Sequence, residues 1–114
     1  MTFRLLIPTL GLVALILAHA PGTLHAAPSN VSARGKAILQ DKCGRCHAVE
    51  ATGRSPLAQA PPFRNIYARH SPRDLQERFS EGLASRHKDM PQIPFSDEDV
   101  HAILTYLYTL AIGK

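Results

Sequence analysis

The sequence predicts an all-α domain, and three observations carry that prediction. Val100, Ile103, Leu104, Leu107 and Leu110 or Ala111 recur at three- to four-residue spacing behind Ser96-Asp97-Glu98-Asp99. A capping serine followed by three acids opens a helix well, and the apolar stripe gives it one face to bury. Ser71-Pro72-Arg73-Asp74 opens another helix, with Leu75 and Phe79 four apart on one face and Gly82 as its stop. Thirdly, no alternation of strand and helix patterns of the βαβ kind surrounds the paired cysteines of the chain. Three to four helices are expected.

The chain is organised around Cys43-Gly44-Arg45-Cys46-His47, a C-x-x-C-H run. Two sulfurs three positions apart sit about one helical turn from each other, so both can face one flat porphyrin edge. Each thiol can add across a vinyl group, and His47 follows at once to reach the iron, so the run reads as a covalent haem attachment site. Three plainer readings compete. A thioredoxin-like dithiol opens a helix after a strand, which this run does not. A structural zinc needs four ligands, and the chain has only two cysteines. A disulfide across so short a loop would close little chain entropy.

The length of 114 residues bounds the chain to one domain. Residues 1–26 read as a cleaved secretory signal: Arg4, then an apolar run over 5–18, then small residues up to Ala26 and Ala27. An uncleaved anchor is the rival, but a span needs about 20 apolar residues, and this run is shorter and carries Pro8 and Gly11. Residues 27–114 then form the domain, expected in the periplasm without stable membrane insertion. A domain that small has difficulty burying enough apolar surface. Haem would brace it, and the protein without haem is expected to fold poorly. Loss of Arg4 leaves 12 basic against 9 acidic side chains, a formal +3. Two ionised propionates would bring that to about +1. The basic residues are scattered without aromatic interleaving, which argues against a nucleic-acid partner.

Ser32 is placed to cap a first helix running through Gly35, Ala37, Ile38 and Leu39 into Cys43. Glycine inside a helix costs about 1 kcal/mol against alanine, so Gly35 marks either a close backbone approach or a frayed first turn. Gly35, Leu39 four on, and Cys43-x-x-Cys46-His47 four after that resemble the opening helix of class I monohaem cytochromes c. The resemblance covers essentially all of 27–114. It implies a small cytochrome c fold, with its helices wrapped around one covalently bound haem c. It also implies that the first helix crosses the last near the glycine, with Gly35 against Tyr106 and Leu39 against Ile103.

The stretch 48–62 is punctuated by proline and glycine and reads as a loop. An axial histidine normally gives its second ring N–H to a carbonyl. In the family a Gly-Pro-x-Leu stretch provides it, and Ala60-Pro61-Pro62-Phe63 is similar, which makes the Pro61 carbonyl the carried-over partner of His47. From the residues alone the stretch is equally a rigid connector. Phe63, Ile66 and Tyr67 offer apolar surface at helical spacing and read as core. His70, just before the cap of the next helix, is assigned to the surface.

Met90-Pro91 lies in an interrupted stretch before the last helix, and Met90 is the only methionine left after export. A thioether is a soft donor suited to low-spin haem iron, and the family places a loop methionine at this point. Met90 is therefore the expected second axial ligand opposite His47. A lone methionine is otherwise core filler, and His87 is the rival donor.

With Cys43, Cys46, His47 and Met90 as the haem-binding set, and His47 and Met90 on the metal, no vacancy remains for substrate. The chain reads as a one-electron carrier and not an enzyme, a monomer whose partners are redox proteins met in brief, small contacts. Lys42, Arg45, Arg86 and Lys88 would form a basic rim for acidic partners, though ordinary solvated side chains give the same sequence. The alternatives are a haem subunit of a periplasmic dehydrogenase or oxidase, a gas sensor or weak peroxidase with an open sixth position, and a cofactor-free thiol oxidoreductase.

Overall fold

The computed structural model of the protein describes residues 30–82 and 89–113. The expected leader and its cleavage junction lie outside the described residues, as do Arg86, His87 and Lys88. Four helices are present among the described residues: α1 (Asn30–Cys43), α2 (Phe63–Arg69), α3 (Pro72–Ser80) and α4 (Asp97–Ile112). No strand occurs there, and no described helix is long and apolar enough to cross a membrane.

α4 is the element on which the others rest, with α1 making the most extensive contact and α2 and α3 packing on it as well. Its Ser96 Oγ accepts the Asp99 N–H at 3.2 Å, so the expected cap is the observed one. Val100, Ile103, Leu107 and Leu110 are buried while Ala111 faces solvent, which resolves the last position of the stripe. Leu39 of α1, Phe79 of α3, and Ile103 and Leu107 of α4 are the largest fully buried side chains. Each such burial stabilises by about 1.5–3 kcal/mol relative to an exposed side chain.

Gly35 is buried where α1 crosses α4. A Cβ built there would run into the Ala102 carbonyl and the Ile103 amide nitrogen. The glycine therefore marks a close backbone approach and not a frayed turn. Its partner is Ala102, one turn before the expected Tyr106, because the contact is made by main chain and leaves no room for a ring. Leu39 and Ile103 are both 0 % exposed in one core cluster, in keeping with the expected pairing.

α1 is already helical at Asn30, and Ser32 is a buried helical residue rather than the cap. A cap needs non-helical backbone, and the helix runs straight through this position. α3 starts as its sequence dictates: the Ser71 hydroxyl accepts the Asp74 N–H at 3.1 Å with Pro72 in the first turn. It ends at Ser80, and Gly82 just after the C-cap Glu81 stops it with a φ of +77°, left-handed backbone that favours glycine. His70 is half-buried, and its Nδ1 donates to Asp74 Oδ2 at 2.7 Å. Arg78 Nε donates to the same oxygen at 3.1 Å.

Two predictions follow from this packing. Gly35→Ala should cost the haem-loaded protein about 3 kcal/mol or more in guanidinium unfolding, since a backbone carbonyl cannot rotate away. Gly82→Ala should cost only about 1–2 kcal/mol, from backbone strain alone, because the nearest atom to its Cβ would be the Ile93 oxygen at an ordinary 3.6 Å. Separately, the Arg78 guanidinium and then His70 hold the Asp74 carboxyl below its ordinary 3.8. A depressed carboxyl stabilises the fold above its unfolded value and loses that contribution as the pH falls through the folded one. Asp74→Asn should thus lower Tm at pH 7, and the gap to the parent protein should close below about pH 3.8.

Candidate functional site

α1 does not stop abruptly at the attachment run. Gly44 N–H donates to Gln40 O at 3.2 Å and His47 N–H to Cys43 O at 3.0 Å, so the i to i−4 ladder of the helix persists for another turn. Cys46 N–H shares the Cys43 carbonyl at 3.1 Å. This turn holds both sulfurs and the imidazole at helical spacing, as the attachment chemistry requires. Cys43 is buried and Cys46 exposed, and no disulfide joins them. Burial, with the neighbouring Cys46 adding to it, pushes the Cys43 thiol up to about 11. It is thus a neutral S–H at physiological pH.

The His47 ring is oriented by the loop that follows. Nδ1 donates to the Pro61 carbonyl at 2.7 Å, which leaves Nε2 with its lone pair for a metal. The carbonyl suggested by Ala60-Pro61-Pro62-Phe63 is the observed one, and the chain is more than a rigid connector there. Phe63 lies against the imidazole, with ring centroids 5.2 Å apart and planes tilted by 44°.

Residues 48–62 keep Pro61 in place through hydrogen bonds that tie the two ends of the loop together. Phe63 N–H donates to Ala48 O at 3.0 Å, and Leu57 N–H to Cys46 O at 3.1 Å. Ser55 Oγ accepts the Ala48 N–H at 3.0 Å. From α4, the buried Tyr106 hydroxyl donates to Val49 O at 2.9 Å. Burial first, with Glu50 adding and Lys36 opposing, pushes that phenol above its ordinary value, so it stays protonated and donating. From α1, Lys36 Nζ and Gln40 Nε2 both reach Glu50 Oε1, at 2.8 and 3.0 Å. From α2, Arg64 donates to Gly53 O at 2.7 Å and to Glu50 O at 3.4 Å.

A cleft of about 440 Å³ opens beside the run, lined among others by Cys43, Cys46, His47, Met90, Pro91 and Ile93. Its size lies within the range of small-molecule and cofactor sites. Met90 is half-buried, and the stretch carrying it is tethered by Phe95, whose ring meets Phe79 of α3 edge-on at 5.8 Å. Met90 and the attachment run are brought to one cleft across more than forty residues of chain. Lys42 and Arg45 border it too, Lys42 paired with Asp41 at 2.9 Å. A buried thiol, an exposed thiol, an oriented imidazole and a thioether around one cleft suit a flat iron tetrapyrrole. Among the described residues no group of three or more His, Cys, Asp or Glu is placed to hold a metal ion by itself.

Tyr106, Ser55, Arg64 and Phe95 were not legible as site residues. Only Tyr106 carried a signal: a hydroxyl on the buried stripe of α4 must find a partner. Tyr106→Phe should leave the Val49 carbonyl unsatisfied and cost about 1–3 kcal/mol, read by guanidinium unfolding of the haem-loaded protein.

A family model described as Cytochrome c matches residues 32–111. No curated protein and no solved structure matches the chain.

Proposed function

The chain belongs to the cytochrome c family, which carries covalently attached haem c, and from that premise we propose that it is an exported monohaem one-electron carrier with His/Met-ligated iron. The observation that carries this reading is the convergence of Cys43, Cys46, His47 and Met90 on one cleft. Cys43 and Cys46 would hold the two thioethers, and His47 Nε2 and the Met90 sulfur the two axial positions. Bound there, the haem supplies an Fe(III)/Fe(II) couple. The chain's own work is to keep both ligands in place through the change, His47 by its Pro61 hydrogen bond and Met90 by the packing of Phe95, farther along the same stretch, on Phe79.

With both axial sites filled the protein would bind no substrate at iron, which is why we read it as a carrier and not an enzyme. The exposed Cys46 and Leu57 border the cleft together with Arg45, so electrons would pass through this rim to redox proteins of acidic surface. The N-terminal apolar run favours the periplasm as its compartment.

Optical spectra of the protein matured in a competent host test the reading. The colour should survive acid–acetone extraction, and the oxidised form should show a far-red sulfur-to-iron band. Met90→Ala should abolish that band and admit carbon monoxide to the reduced iron, while His87→Ala should change neither. Tight carbon monoxide binding by the parent protein, or a band that survives Met90→Ala, would refute His/Met ligation.

A further inference from the structure

Among the described side chains that α1, α2 and α4 send onto residues 48–62, Arg64 is the one that reaches beyond residue 50. Its guanidinium donates to Gly53 O at 2.7 Å and to Glu50 O at 3.4 Å. Tyr106, Lys36 and Gln40 hold only residues 49 and 50. Gly53 is two residues from Ser55, whose hydroxyl accepts the N–H of Ala48, the residue next to His47. Arg64 itself follows Phe63, whose N–H closes the loop onto Ala48 O. One side chain thus links the distal turn of the loop to the segment that delivers the Pro61 carbonyl.

We infer that Arg64 is a positioning residue for the proximal ligand: its fork on the Gly53 and Glu50 carbonyls fixes the loop, and through it the His47 Nδ1–H···O=C Pro61 hydrogen bond. The inference rests on the reading of His47 as an axial ligand. A histidine that donates a short, fixed hydrogen bond is a more basic ligand, and a more basic ligand favours the ferric state. Loosening the loop should therefore move the midpoint potential upward. Removal of a positive charge acts in the opposite direction, since it favours the ferric state and lowers the potential, so the two effects are separable by sign. A planar fork that meets two carbonyls is also a task a lysine ammonium performs poorly.

The test uses the haem-loaded protein and three variants: Arg64→Lys, Arg64→Gln, and Arg54→Gln, which removes one charge from the exposed part of the same loop. Solvent exchange of the His47 Nδ1–H is followed by NMR alongside the midpoint potential. Both Arg64 variants should speed that exchange at least tenfold, and Arg64→Lys, which keeps the charge, should raise the potential. Arg54→Gln should leave the exchange rate at the parent value. Unchanged exchange in Arg64→Gln, or parent values of both readings in Arg64→Lys, would overturn the assignment. Should His47 show no iron-shifted ring signals in the parent protein, the ligand reading itself fails, an outcome distinct from a silent Arg64.

Discussion

The crossing of α1 over α4 at Gly35 is the constraint on which the remainder depends. The helix backbone lies against the Ala102 carbonyl with no room for a side chain, and this closeness sets where the far end of α1 arrives. That end is the attachment run, continued by one more turn of the helical ladder. A wider crossing would swing Cys43, Cys46 and His47 together away from the segment that carries Met90. The core residues Leu39 and Ile103 supply apolar burial at the same crossing, so the joint that aims the site is also a main source of cohesion.

The loop between His47 and Pro61 answers a different demand. An imidazole that ligates a metal needs its other nitrogen held, and the holder must not drift. A stretch of that length is ordinarily mobile. Here side chains from α1, α2 and α4 converge on its carbonyls and on the Glu50 carboxylate, while Ser55 and the Phe63 N–H close it upon Ala48. Most of these bonds are exposed and individually modest. The Tyr106 bond is buried, and burial raises the cost of losing it.

The fold was legible to a large extent. The caps at Ser71 and Ser96, the buried stripe of α4 and the stop at Gly82 all lie where local propensity puts them, because each is decided within a few residues of chain. The start of α1 was not, since a serine before an apolar stretch looks the same whether it caps the helix or is buried within it. Gly35 announced a close approach but not its partner, which depends on how far two helices slide along one another. At the site, Pro61 was reachable only through resemblance to a family, and Arg64 not at all, because a guanidinium meeting backbone carbonyls eleven and fourteen residues away leaves no pattern in the sequence.

The sequence by itself determined the chemistry: two thiols and an imidazole at helical spacing admit few cofactors, and periodic apolar residues with their caps admit only helices. Those are properties of neighbours along the chain. Tertiary structure alone decided which carbonyl holds His47, which side chains brace its loop, and that Met90 shares a cleft with a run more than forty residues earlier. Such contacts join distant segments, and their geometry exists only once the helices have packed.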